Sequence, residues 1–223
     1  MKHRPVCLTG MILVLTACGG GDSTASLQSL GTIKAAAVAP PAGPPLSNIV
    51  AFMGYSIIAR WELQDYDTTN PVLNFGIGNQ TTVQMLGRFG EVLSSGAGVV
   101  VIEGGLNDLY QLGPKTANID SIASMATQAK AAGIRVILTS LVPDSFSYAT
   151  GTAPTSSDIF AMSEALEALA QSQGYLYADF FDAMRLPDGA QDPSLTIDGV
   201  HPNAAGYAKL WAVLEPLIAE DLK

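Results

Sequence analysis

The sequence predicts an α/β domain built on a parallel five-stranded sheet with helices on both faces. Three observations lead there. From Asn48 onward, short apolar runs rich in β-branched and aromatic residues recur along the chain. Longer segments with helical spacing separate them, and Gly133 and Gly174 stand where helix C-caps belong, each just ahead of the next strand. Strands that alternate with helices in this way pair in parallel and are covered on both sides.

In chain order, Ile49 to Met53 forms the first strand and is followed by a helix around Ile57 to Gln64. Val72 to Phe75 is the second strand, with a helix over Thr82 to Leu93. Val99 to Ile102 is the third, and a helix from Ile119 to Ala132 leads to the fourth, Arg135 to Thr139. A helix over Asp158 to Gln173 precedes the fifth strand, Tyr175 to Ala178, and Ala204 to Glu220 closes the chain as a helix. Ile159, Met162, Leu166 and Leu169 keep helical spacing and belong to the core.

Ahead of this domain the texture differs. Lys2 and Arg4 precede an apolar run ending Met11-Ile12-Leu13-Val14-Leu15, too short to span a bilayer, in the outline of a signal peptide. Leu15-Thr16-Ala17-Cys18 resembles the bacterial lipobox, whose cysteine is lipidated and becomes the new N-terminus. The expectation is a signal peptide over 1–17, a lipidated Cys18 opening a Gly/Ser/Ala/Pro-rich tether over 18–47, and a folded domain over 48–223. The alternative is an ordinary secretory signal with a coincidental cysteine. The lipobox reading implies a lipoprotein of the bacterial cell envelope, held at a membrane by its N-terminal lipid; Gly19 in place of Asp after the cysteine favours the outer membrane.

Composition narrows the chemistry. The chain has two histidines, His3 and His201, and two cysteines, Cys7 and Cys18. Processing at Cys18 leaves one histidine and no usable thiol, which excludes a disulfide framework, a cysteine zinc site and a multi-histidine metal cluster. Processing also turns the net charge of −9 into −11, with nine cations against twenty anions, so no nucleic-acid partner is expected. A near-neutral proton shuttle, if one is needed, falls to His201.

Ligands bind at the carboxyl ends of parallel strands, and four stretches lie there or lead into the last helix. Gly54-Tyr55-Ser56 places a serine where the first strand turns into a helix. Asn74-Phe75-Gly76-Ile77-Gly78-Asn79 makes a polar glycine-rich turn after the second strand. It lacks the GxGxxG dinucleotide pattern. Gly105-Leu106-Asn107-Asp108 follows the third strand, and Asp198-Gly199-Val200-His201 precedes the last helix. Serine at a helix start has capping as its plain explanation, but the position also suits a nucleophile. Asp three residues before His brings carboxylate and imidazole within reach, fixing the tautomer of a general base.

Taken together and in this order, the stretches resemble the SGNH hydrolase family, a branch of the GDSL esterases and lipases. Gly54-Tyr55-Ser56 falls on the block usually read GDS, Gly105 to Asp108 on GxND, and Asp198 to His201 on DxxH. The resemblance implies a flavodoxin-like three-layer α/β/α sandwich and a serine esterase acting on carboxylic esters without metal or organic cofactor. It implies Ser56 as nucleophile, His201 as base, Asp198 as its orienting carboxylate, and an oxyanion hole of the Ser56 and Asn79 backbone NH groups with the Asn107 side chain. Tyr55 in place of Asp and Asn79 in place of Gly depart from the family pattern.

A compact domain without an apolar lid tilts the substrate toward short acyl esters, including O-acetyl groups on glycans, and toward a monomer. Two alternatives stay open: an acyltransferase using the same acyl-enzyme, or a weakened surface lipoprotein that binds glycan or acyl chains. Trp61, Tyr66, Phe146 and Tyr148 would line the latter's site, although packing and a surface loop are their simpler roles. Asp65 and Asp67, with Glu62, read as an acidic exposed turn, Asp179, Asp182, Asp188 and Asp192 as solvated loop carboxylates, and Asp108 as support for the Asn107 loop.

Overall fold

The computed structural model describes residues 47–112, 119–145 and 154–221. The signal peptide, Cys18, nearly all of the tether, Phe146 and Tyr148 lie outside the described residues. Five parallel strands, β1 (Val50–Gly54), β2 (Val72–Gly76), β3 (Val99–Ile102), β4 (Arg135–Thr139) and β5 (Leu176–Ala178), form one sheet in the order β2-β1-β3-β4-β5. This is a flavodoxin-like α/β/α sandwich. The chain reverses its direction of growth between β1 and β3, and at such a switch point the loops diverge and leave a crevice. Ser56 follows the first of these strands and Asn107 the second.

The central strands β1 and β3 are buried along their whole length, which explains runs as apolar as Val99-Val100-Val101-Ile102. Register runs from Val50 beside Val99 to Met53 beside Ile102, and the Glu103 N–H extends it by donating to Met53 O at 2.9 Å. Helices α5 (Ile119–Ala131) and α6 (Ser156–Gln173) pack on each other, with α2 (Thr82–Gly87) against α5. Helix α8 (Ala204–Asp221) packs with α7 (Phe180–Met184) against β4 and β5. Gly174 caps α6 in the left-handed conformation with φ 69°, as its position before β5 requires.

Several expected elements change form. The helix after β1 is a single turn, α1 (Ser56–Ala59), followed by a 3-10 turn over Leu63–Asp65. The long helix expected over Thr82 to Leu93 breaks at Arg88 and Phe89 into α2 and α3 (Gly90–Leu93), because Gly87 and Gly90 weaken helix propagation from both sides. Helix α4 (Leu106–Leu112), which carries Asn107, and helix α7 go unread in the sequence, being too short for apolar periodicity to register. Asp67 is not exposed: it is buried and accepts from the N–H groups of Thr69 and Asn70 and from their side chains, closing the turn before β2. Nor is Asp179 a free loop carboxylate, since it caps α7 through the Asp182 N–H.

Candidate active site

Strand β1 delivers Ser56 into the crevice through a turn that two glycines make possible. A Cβ at Gly54 would stand 2.3 Å from Ile58 Cγ1, and one at Gly76 would stand 2.2 Å from the Ala59 N, so only glycine lets β1 and β2 close on α1. Gly78 leaves the space above the serine open, since a Cβ there would reach Ser56 Cβ at 3.9 Å. Ser56 Oγ lies 2.9 Å from His201 Nε2, across 145 residues of sequence.

The histidine turn is built as a unit around Asp198. One carboxylate oxygen, Oδ1, accepts from the N–H groups of Val200 (3.1 Å) and His201 (2.8 Å), while Oδ2 stands 2.7 Å from His201 Nδ1. An ionised carboxylate can only accept, so Nδ1 carries the proton and Nε2 is left to accept from the Ser56 hydroxyl. Gly199, at φ 91°, supplies the left-handed bend, and its N–H donates to Thr196 Oγ1 at 2.6 Å. Partial burial works against the charge on Asp198, but the hydrogen bonds from His201 and Val200 prevail and hold it at about 2. The imidazole side chain is 17% exposed and the carboxylate 40%, so solvent reaches the pair from one side.

Two contacts fix this turn relative to the serine. Asn203 caps α8 by accepting from the N–H groups of Ala205 and Gly206, and its amide donates to Ser194 O. One turn into α8, the buried Tyr207 hydroxyl donates to Ile57 O at 2.9 Å, tying the helix that follows His201 to the helix that begins with Ser56.

On the other side of the crevice, Asn79 adopts φ 65°, the one positive φ at a non-glycine position among the described residues. The Gln111 amide donates to Asn79 O and to its side-chain oxygen. Asn107 Nδ2 donates one of its two protons to Gln80 O at 3.0 Å, which directs the amide toward the same loop. Asp108, fully buried, accepts from the Thr82 hydroxyl at 2.6 Å and the Thr82 N–H at 2.9 Å. It thus ties the start of α4 to the start of α2 and supports the Asn79–Asn107 side of the crevice.

Arg88 holds this loop from below and was not singled out in the sequence. Its Nη2 donates to Phe75 O (2.6 Å) and Gly54 O (3.3 Å), and its Nε to Gln80 Oε1 (2.7 Å). One guanidinium therefore spans the ends of β1 and β2, a role that requires a planar fork of donors. Its only local signal is an arginine where a glycine-flanked helix breaks.

Tyr55 and Glu103 form the buried floor. Neither is exposed, and the Tyr55 hydroxyl and both Glu103 carboxylate oxygens lack a well-formed hydrogen bond. The two groups are nonetheless close enough to shift each other's ionisation. Burial pushes Glu103 up to about 8, and burial together with the Glu103 charge pushes the Tyr55 phenol well above its usual range. Trp61 is likewise buried, packed among Phe52, Tyr66, Phe180 and Tyr207, which assigns it to the core.

A serine, a histidine and a carboxylate in one hydrogen-bonded line, beside an asparagine amide on a flavodoxin-like sheet, define a serine-hydrolase type of site. Residues 51–209 match the model of the GDSL-like lipase/acylhydrolase family, and the chain belongs to that family of ester-hydrolysing enzymes. Among solved structures, a candidate acylhydrolase from Bacteroides fragilis is 31% identical with a TM-score of 0.72, over 79% of this chain and 88% of that one. A GDSL-like lipase from Bacteroides thetaiotaomicron is 32% identical with a TM-score of 0.71, over 78% and 88%. An acetylxylan esterase from Geobacillus stearothermophilus shares the fold at 18% identity and a TM-score of 0.59, over 78% and 96%. Comparison with the curated proteins found no match.

Proposed function

We propose that the chain hydrolyses short-chain carboxylic esters, including O-acetyl groups on glycans, through an acyl-enzyme on Ser56. The observation that carries this reading is the unbroken line Ser56 Oγ, His201 Nε2, His201 Nδ1, Asp198 Oδ2, with separations of 2.9 and 2.7 Å. His201 Nε2 takes the Ser56 proton as Oγ attacks the ester carbonyl, and Asp198 stabilises the imidazolium that forms. The oxyanion is met by the Ser56 and Asn79 N–H groups and the remaining Asn107 amide proton. Collapse of the tetrahedral intermediate passes the proton from His201 to the departing alkoxide, leaving the acyl group on Ser56. Water, deprotonated by His201, then attacks the acyl-enzyme, and the carboxylic acid leaves as Ser56 recovers its proton.

The fold shared with an acetylxylan esterase supports the acetyl-ester reading, as does the partial solvent exposure of the His201–Asp198 pair. Cys18 carries the lipid in this proposal, and the enzyme works in the bacterial envelope as an outer-membrane lipoprotein with a small-molecule or glycan ester as its partner. The test is turnover of nitrophenyl esters from acetyl to palmitoyl, with fluorophosphonate labelling. Acetyl ester should be preferred and labelling should map to Ser56. Undiminished turnover in Ser56→Ala would remove the mechanism, and preference for long chains would remove the substrate assignment.

A further inference from the structure

The catalytic line leaves one buried titratable group beside the nucleophile unused. Glu103 closes β3 next to Gly54. Its N–H is bonded to Met53 O, and its own carbonyl oxygen would stand 3.1 Å from a Cβ at Gly54, so backbone packing fixes it against the turn that carries Ser56. Its carboxyl is completely buried and has no aligned donor. The residue facing it is Tyr55, the immediate neighbour of Ser56, whose equally buried hydroxyl makes no aligned hydrogen bond but stands near enough to Glu103 to offset part of the effect of burial on its carboxyl. A carboxyl group in such surroundings is stable only in its neutral form, which can both donate to and accept from a phenol.

We infer that Glu103, acting through Tyr55, is a positioning residue for the nucleophile: its neutral carboxyl props the Gly54–Ser56 turn, and its ionisation lowers the rate. This rests on the hydrolase reading of Ser56. Two effects operate in the same direction. Ionisation leaves an uncompensated charge in the core, and relaxing it requires movement of the turn that aims Ser56 Oγ at His201. It also adds a negative charge close to the turn around which negative charge develops in the transition state.

The groups facing the pair reinforce this sign. From the segment after β4, Asp144 opposes ionisation of Tyr55. From α8, burial and the Glu103 charge push the Tyr207 phenol above its usual range, and its hydroxyl is bonded to Ile57 O. Arg60 acts on Tyr207, and Arg88 reaches the turn only through the Gly54 carbonyl. The group therefore contains two carboxyls and two phenols around the nucleophile turn, so a second negative charge finds little relief.

The experiment is the pH profile of acetyl-ester turnover and of fluorophosphonate labelling, from about pH 5 to about pH 10, with fluorescence reporting that the protein stays folded. Wild type should lose reactivity with a midpoint near pH 8, the value at which Glu103 ionises, while remaining folded. In Glu103→Gln that loss should vanish. Tyr55→Phe and Glu103→Ala should lower kcat by roughly tenfold with KM little changed, as expected when a reacting group is misaimed rather than binding lost. Glu103→Gln should lie nearer to wild type than Glu103→Ala at neutral pH.

An alkaline loss that persists in Glu103→Gln would overturn the inference, as would one that follows unfolding or a wild-type labelling rate flat through pH 9. Should the variants not fold, the wild-type labelling profile decides alone. Ser56→Ala separates the two readings. Residual turnover there removes the hydrolase mechanism itself, whereas an inactive Ser56→Ala with an unaltered Glu103→Gln profile removes only the role of Glu103.

Discussion

Two acidic residues near the nucleophile turn, Asp198 behind His201 and Glu103 beside Tyr55, are built in opposite ways. Asp198 stands partly in solvent, and its two oxygens gather the Val200 N–H, the His201 N–H and the imidazole. Glu103 lies wholly in the core with no aligned donor. The first is held at about 2 and the second is pushed up to about 8. Complete burial keeps Glu103 neutral at neutral pH, whereas the donors gathered around the partly exposed Asp198 keep it charged, and the division suits the proposed chemistry. A fixed negative charge is useful behind a base that becomes positive, and harmful close to a turn around which negative charge develops.

The largest effects should come from breaking the charged side of this contrast. His201→Ala and Ser56→Ala are each expected to lower kcat by about 10⁴-fold or more, since the chain has no second histidine in the described domain to take over. Asp198→Asn should cost roughly 10² to 10⁴-fold, because an amide can present its N–H to Nδ1 and turn the ring to the wrong tautomer. Steady-state kinetics on an acetyl ester check all three, and activity in His201→Ala would show that some other group deprotonates the serine.

The buried side should show itself in stability. A carboxyl whose ionisation is raised from the ordinary glutamate range to about 8 binds a proton in the folded state that the unfolded chain has already released. Stability is therefore greatest at or below that ordinary range, falls as pH climbs through it to about 8, and is level above. The loss is on the order of 5 kcal/mol. Asp198 has the opposite sign: its contribution is present above the usual carboxylate range and is lost as pH falls toward 2. Urea melts at a series of pH values should show the alkaline decline in wild type and a flatter curve in Glu103→Gln. An unchanged decline would mean that another group titrates there.

Much of this architecture was legible because it is written in local patterns. Strands β1, β3 and β4 are runs of mostly buried apolar residues, the edge strand β2 keeps Val72, Leu73 and Phe75 while only half-buried, and the fifth is marked by the glycine cap before it. The Ser56 and Asn107 motifs sit at strand ends that the parallel-sheet rule singles out, and the Asp198–His201 motif is marked by its spacing just ahead of the last helix. What could not be read depends on contacts distant in sequence. Arg88 spans the ends of β1 and β2, Asp108 reaches Thr82 across 26 residues, and Tyr207 reaches Ile57 across 150. Glu103 opens the stretch after β3, but nothing local distinguishes a buried acidic residue there from a solvated one, and its complete burial depends on the folded packing around it. Single-turn helices such as α1 escape notice for a related reason: one turn has too few positions to establish a period.

A smaller effect should appear where the Arg88 guanidinium holds the crevice through neutral acceptors. Arg88→Ala removes the donors to Phe75 O, Gly54 O and Gln80 at once and leaves those carbonyls to find water. A destabilisation of about 1 to 3 kcal/mol is expected, with a rate loss of about tenfold as the oxyanion side loosens. Arg88→Lys should recover little of either, because one ammonium cannot span three acceptors in the geometry of the fork.

The smallest effect concerns Asn79, where two contributions nearly cancel. Its φ of 65° is a conformation glycine adopts freely and asparagine tolerates at a modest cost, so Asn79→Gly relieves backbone strain of up to about 1 kcal/mol. The same change deletes the side-chain oxygen that accepts from Gln111, an exposed contact of about 0.5 kcal/mol, and raises the entropy of the unfolded chain. The net shift in stability should fall within about 0.5 kcal/mol of zero. The backbone N–H assigned to the oxyanion survives in Asn79→Gly, so acetyl-ester turnover should change by less than about threefold, while bulkier acyl groups gain as the crevice widens. Asn79→Ala keeps the strain and loses the side chain, and should be the less stable of the two variants. A large loss of acetyl turnover in Asn79→Gly would instead show that the side-chain amide, not the backbone, meets the oxyanion.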